Sequence, residues 1–190
     1  MEGELPILQR RRIEAEIIRP IYEELVAEIG VERAREVLAR AIEKAAIATG
    51  ADFAARTEGG TDMGTFRELY ELWTHDGALE IDVLQADERR FDFNVTRCKY
   101  SEMYRSMGLG ELGGILSCNR DGVFCQGYDP RIKLQRTQTL MQGAGCCDFR
   151  YELKVPGTQE DIAASTHGRR PLHDALDVPG TGNVSEAPMS

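Results

Sequence analysis

The first third of the chain repeats its apolar residues at helical spacing. Ile13, Ile17, Ile21 and Leu25 recur every four residues, with Glu14, Glu16, Glu23 and Glu24 mostly on the other faces, which predicts an amphipathic helix. Pro20 falls inside this pattern and predicts a kink or a division, and Gly30 is placed to stop the helix. In a second helix, Ala34, Val37, Leu38, Ala41, Ala45 and Ala48 form a narrow stripe, and Gly50 is expected to end it. Side chains this small predict close approach of a neighbouring helix. Residues 56–64, with Gly59, Gly60 and Gly64, read as a flexible connection. They lack the Lys and the preceding apolar strand of a phosphate-binding loop. Thr65 to Glu68 has the spacing of a capping box and predicts a third helix, with Phe66, Leu69 and Trp73 on one face and Gly77 at its end.

The period then changes from 3.6 to 2. Leu79, Ile81 and Val83 alternate with Glu80 and Asp82, and Phe91, Phe93 and Val95 alternate with Asp92, Asn94 and Thr96. Two half-buried strands joined by a turn at Asp87 to Arg89 are expected. Residues 99–117 return to helix, broken near Gly108 to Gly110. Residues 131–141 and 147–153 read as strands. Helices followed by hairpin-connected strands predict an α+β fold, with the N-terminal helices packed on an antiparallel sheet. Beyond Val155 periodicity is lost and four of the seven prolines cluster. The expected organisation is one domain over 1–155 and a disordered tail over 156–190.

Composition narrows the partners. The chain has 190 residues, 32 acidic and 23 basic, for a net charge of −9. That balance argues against nucleic acid, which needs a basic face, and against an anionic membrane surface. No run of about 18 apolar residues suggests a membrane span, and no apolar leader segment is visible. An odd number of cysteines, five, predicts free thiols in a reducing cytoplasm. The small-residue stripe permits a homo-oligomer without requiring one.

All five thiols, Cys98, Cys118, Cys125, Cys146 and Cys147, fall within one stretch of about fifty residues, which is the first sign of a site. Histidine is scarce: His167 and His173 lie in the tail, and His75 is placed to cap a helix, so a Ser-His-Asp triad or a His-rich metal site is not expected. Cys98 sits beside Arg97 and Lys99, cations that would lower its pKa. Cys118 is followed by Arg120 and, three residues on, by Asp121, which can orient a water or relay a proton. Cys125 reads as a packing residue. Four thiolates from Cys98, Cys118, Cys125 and Cys147 form a metal-binding alternative, although their spacing is not that of common zinc modules.

Strand parity singles out two arginines. In 131–141, Arg136 shares a face with Ile132 and Leu134, where a guanidinium is costly unless a carboxylate meets it. That carboxylate can come from the protein, with Asp121 or Asp148 as candidates, or from a ligand. Arg150 raises the same question.

Several of these segments together resemble the L-2-amino-thiazoline-4-carboxylic acid hydrolase family: FDFNVTRCKYSEMY from Phe91 to Tyr104, LSCNRD from Leu116 to Asp121, Asp129-Pro130, RTQT from Arg136 to Thr139, and CDFRY from Cys147 to Tyr151. The resemblance extends over about residues 10–153. It implies hydrolytic opening of a cyclic amidine to N-carbamoyl-L-cysteine, with Cys98, Cys118 and Cys147 as the motif thiols. Asp129 stands where the family often has Asn, and Cys146 where many members have His.

The resulting expectation is a cytoplasmic hydrolase of C–N bonds in small cyclic amidines or amides, acting on a carboxylated substrate without a cofactor. Cys118 is the expected nucleophile and Asp121 the acid/base. Cys98 and Cys147 are the next catalytic candidates. Arg136 or Arg150 is expected to hold the carboxylate, Arg120 to contact the substrate, and Asn94, Thr137 and Thr139 to bond the ring. Two alternatives remain open. One is a metal-dependent hydrolase using the Cys/Asp cluster. The other is a non-enzymatic sensor domain, since the element order also loosely resembles the vinyl-reductase-like small-molecule sensors of bacteria.

Overall fold

The computed structural model describes residues 5–155. Within them, two long helices come first: α1 (Ile7–Ile29) and α2 (Val31–Arg56). Gly30 alone joins them, with φ of +79°, a conformation that costs glycine little and other residues much. Then come α3 (Met63–Thr74), the hairpin β1 (Leu79–Ala86) and β2 (Arg90–Cys98), and α4 (Lys99–Ser106). A short α5 (Gly110–Gly113) runs through a π-helical turn (Gly114–Cys118) directly into α6 (Asn119–Tyr128). Strands β3 (Ile132–Gln135) and β4 (Cys147–Leu153) complete a four-stranded antiparallel sheet in the order β1-β2-β4-β3. The fold is α+β, helices against one face of an antiparallel sheet. The expected tail, 156–190, lies outside the described residues, as do His167 and His173.

Strands β2 and β4 obey the predicted alternation, whereas in β1 register shifts break it and Val83 is exposed. Phe91, Phe93 and Val95 of β2 and Cys147, Phe149, Tyr151 and Leu153 of β4 face the helices and are buried. Each fully buried aromatic or aliphatic side chain contributes about 1.5–3 kcal/mol. A ring from α3 meets them, Phe66 lying 4.8 Å from Tyr151 in an edge contact, and within the sheet Phe93 stacks on Phe149 at 4.9 Å. The opposite face is polar. There Arg150 donates to the carbonyls of Phe93 and Phe149 and to Asn94 Oδ1.

The helices differ from their predicted faces. In α1 the every-fourth-residue isoleucines point outward, with Ile13, Ile17 and Ile21 about half exposed, whereas Arg11 and Ala15 are buried. The packed face runs through Ile7, Leu8, Ala15, Ile18 and Tyr22 instead. The helix continues through Pro20. In α2 the buried row is Ala34, Leu38, Ile42, Ala46 and Gly50, while Ala41, Ala45 and Ala48 face solvent. Gly50 does not end the helix. It lies at the crossing with α6, where an added Cβ would come within 2.2 Å of the Phe124 carbonyl oxygen, and Gly127 opposes it, with a Cβ there 1.9 Å from the Ile47 carbonyl oxygen. The two backbones touch, so the close approach is real but rests on glycine, not on the alanine stripe.

Three boundaries also move. The capping box belongs to Asp62, whose carboxylate accepts from Thr65 N–H at 2.7 Å while Thr65 Oγ1 accepts from Asp62 N–H at 2.9 Å, so α3 begins at Met63. The strand expected over 131–141 ends at Gln135, because Asp148 binds the N–H groups of Thr137 and Gln138 and turns the chain away from the ladder. The helix expected to finish near Cys118 continues to Tyr128.

Candidate active site

Cys98, Cys118 and Cys147 come from three separate elements and line one cavity of about 520 Å³ measured out to its mouth, together with Arg120, Asp121 and Arg136. Each is placed by local backbone chemistry. Cys98 is the N-cap of α4, its sulfur accepting from Ser101 N–H at 3.4 Å. Cys147 opens β4 on the helix-facing side, and its sulfur accepts from Leu140 N–H at 3.1 Å. Cys118 closes the π-helical turn, in which Asn119 N–H reaches back to the Gly114 carbonyl instead of Ile115's. That extra residue per turn rotates α6 about its axis relative to α5, and such turns recur at functional sites.

Asp121 and Arg136 form the polar centre. Arg136 continues the apolar parity of β3 past its last residue. There Nη1 donates to Asp121 Oδ2, Nη2 donates to the Cys118 carbonyl at 2.9 Å, and the guanidinium lies 4.9 Å over the Phe149 ring. Of the two partners the sequence suggested, Asp121 is the one present. Burial raises the Asp121 carboxyl pKa above its ordinary value even though Arg136 pulls the other way. A carboxyl group held up by burial is suited to accept and return protons nearer neutral pH.

Every cavity thiol is pushed up by burial. Cys98 rises to about 11 and Cys118 to about 12, the latter raised further by the Asp121 charge, and Cys147 rises too. The cations expected to lower Cys98 do not serve it: Arg97 binds Glu80 and Glu102, and Lys99 donates to the Asp76 carbonyl at 2.7 Å. The resting thiols are therefore protonated at neutral pH. Cys125 is buried core on α6, and Cys146 accepts from Gln138 Nε2 at 3.1 Å, apart from the cavity. Among the described residues, no group of three or more His, Cys, Asp or Glu gathers as a metal would require.

Four residues expected at the ligand lie elsewhere. Asn94 and Arg150 bond each other on the polar face of the sheet, because even-numbered positions of β2 and β4 point away from the helices. Thr137 donates from its hydroxyl to Asp148 at 2.6 Å, and Thr139 caps the short turn at Leu140–Gln142. These groups shape the loop that carries Arg136; they do not line the cavity.

Sequence reading missed Arg11, Glu14, Tyr70 and Trp73. Arg11 and Trp73 line this cavity and also two further cavities, of about 410 and 750 Å³, bordered by residues of α1, α2 and α3. His75 borders the larger of the two. The signal for Arg11 was its place four residues before Ala15 and seven before Ile18, on the face that is buried.

No curated protein matches the sequence. Among solved structures, the phenol-responsive sensory domain of the transcription activator PoxR, with phenol, is similar at 16% identity over 82% of this chain and 81% of that one, with a TM-score of 0.47. The sequence profile described as L-2-amino-thiazoline-4-carboxylic acid hydrolase matches residues 10–151. That span begins before Arg11 on α1, takes in the π-helical turn with Cys118, and ends in β4 after Cys147. The match thus covers the scaffold as well as the thiol motifs, and the chain belongs to the L-2-amino-thiazoline-4-carboxylic acid hydrolase family.

Proposed function

We propose that the protein is a hydrolase that opens a small, carboxylated cyclic amidine or amide, with Cys118 as nucleophile and Asp121 as the proton carrier. The observation that supports this most is the convergence of three thiols and the Asp121–Arg136 pair on one cavity. The family name points to hydrolysis, and 2-amino-thiazoline-4-carboxylate is the reference substrate.

The high thiol pKa shapes the mechanism. A resting thiolate is scarce, so deprotonation accompanies attack. A protonated amidine ring placed against Asp121 replaces part of the pairing that Arg136 supplies and stabilises the forming thiolate. The Cys118 sulfur adds to the ring carbon between nitrogen and sulfur, its proton passing to Asp121. The ring C–S bond breaks, and Asp121 returns the proton to the departing ring sulfur. A thiol of ordinary pKa leaves more readily than one held near 12, which favours this direction. Water then adds to the enzyme-bound carbon, giving its proton to Asp121, and Cys118 departs as the thiol. One water is consumed and N-carbamoyl-L-cysteine is formed. With a cyclic amide or imide in the same site, the ring bond broken is C–N. The same residues carry out the whole cycle without a cofactor.

A binding-only sensor domain is the second reading, favoured by thiols that stay protonated at rest. Turnover of a panel of cyclic amidines, hydantoins and imides, with intact-mass detection of a covalent adduct, separates the two. The hydrolase reading expects sustained turnover, an adduct in the wild type, and loss of both in Cys118→Ala. Full turnover in Cys118→Ala removes the nucleophile. Binding with no turnover of any ring removes the hydrolase.

A further inference from the structure

We infer that Arg11 and Arg120, bracketed by Glu14, form the seat for the carboxylate of the ligand. The inference rests on the cavity being the substrate site proposed above. Arg11 and Glu14 lie one helical turn apart on the same face of α1. Arg11 Nη1 donates to both Glu14 oxygens at 2.8 Å, and Arg120, arriving from α6, donates from Nη2 to Glu14 Oε2 at 3.0 Å.

Charge counting makes the site incomplete. Three guanidiniums, Arg11, Arg120 and Arg136, meet two carboxylates, Glu14 and Asp121. Asp121 is taken by Arg136, and Glu14 is shared by the other two. One positive charge is left over on side chains that are only 10% and 11% exposed. A buried charge without a counterion is costly, and a ligand anion is the group that removes the cost. The Arg120 guanidinium shows the strain: burial and the nearby Arg11 charge both push its pKa down.

Donors remain for such an anion. Arg120 Nε is spent on the Leu116 carbonyl, but Nη1 of Arg120 and Nε and Nη2 of Arg11 have no acceptor among the described residues. Arg136, by contrast, has committed its fork to Asp121 and the Cys118 carbonyl. Arg11 also borders the two neighbouring cavities, so its guanidinium is open to a ligand as well as to Glu14. Glu14 is a positioning residue: it holds two like charges side by side and keeps both aimed inward.

The test is calorimetric binding to the full chain of 2-amino-thiazoline-4-carboxylate and of 2-aminothiazoline, which lacks the carboxylate. The ratio of the two affinities is the readout. The wild type is expected to prefer the carboxylated ring by about tenfold or more, the scale of one charge-assisted contact. Arg11→Gln and Arg120→Gln are each expected to lower the ratio about tenfold. Arg11→Lys, which keeps the charge, should retain most of it, and Asp129→Asn, outside the cavity, should leave it unchanged. An unchanged ratio in folded Arg11→Gln overturns the inference, as does a wild type that binds neither ring. If Arg120→Gln fails to fold, the Arg11 pair of variants decides. A normal ratio without turnover leaves the anion seat standing and removes the hydrolase; turnover with a ratio near one does the reverse.

Discussion

Two aspartates, one in the first turn of α6 and one just past its last, each face an arginine, yet their surroundings push them in opposite directions. Asp129 is covered but lies under a half-exposed Arg131, and accepts three bonds from it: backbone N–H and Nε at 3.0 Å on Oδ1, and Nη2 at 2.7 Å on Oδ2. These bonds outweigh the cost of burial and hold its carboxyl pKa low. Asp121 sits on the cavity wall with Arg136 on one oxygen, and there burial outweighs the pairing. The same two chemical groups make a clamp in one place and, under the proposed function, a proton carrier in the other. The number of donors on each carboxylate, set against the cost of burying it, decides which.

The largest effect that tests this contrast is on catalysis. Asp121→Asn is expected to lower kcat for ring opening by two to four orders of magnitude, the usual worth of a general acid/base, whereas Asp129→Asn should stay within about twofold. Comparable losses in both, measured at saturating substrate, would erase the functional distinction. Next comes the backbone that positions the two ends of α6. Gly127→Ala drives a methyl into the α2 backbone and is expected to lower unfolding free energy by about 3 kcal/mol. Denaturant titration with an unchanged m-value reports it.

Asp129→Asn removes a charge-assisted clamp and should cost about 1–2 kcal/mol at neutral pH. Because the folded pKa of Asp129 is depressed, its contribution is present above the ordinary carboxyl pKa and is lost as pH falls through the folded value. The gap between wild type and Asp129→Asn should therefore close on acidification. Asp121 predicts the smaller and opposite trend. Its folded pKa is raised, so the folded state binds its proton more tightly than the unfolded chain. Stability drains away as pH rises from the ordinary carboxyl value through the folded one. Asp121→Asn should gain on wild type over that same rise. Parallel pH profiles for the two variants would contradict the contrast.

Much of this was legible in the chain. Period-2 alternation gave β1, β2 and β4, and the buried faces of β2 and β4, whereas Val83 of β1 is exposed. Parity placed Arg136 among apolar residues and called for a carboxylate, with Asp121 one of two candidates in the protein. Three cysteines in separate motifs anticipated one cavity. Other features were hidden for physical reasons. The isoleucines of α1 form as regular a stripe as the face that is buried, and only the neighbouring elements select between them. Arg11 on the packed face looks like an error until Glu14 and Arg120, more than a hundred positions later, are seen to meet it. Asn94, Thr137, Thr139 and Arg150 lie off the cavity because each finds a nearer partner: Asn94 and Arg150 one another, Thr137 the Asp148 carboxylate, and Thr139 the N–H of Gln142.

The π-helical turn at Gly114–Cys118 carries a consequence for how this site can vary. An α-helix advances about 100° per residue, and this turn holds one residue more than α geometry requires. Removing any one of its five residues would restore a regular helix and swing the residues before it by that angle relative to those after. Cys118 and Asp121 would then no longer share the orientation that the α5 anchor gives them. The segment should therefore accept exchanges of side chain more readily than a change in length, and deletion scanning across 110–128 should find its sharpest intolerance there.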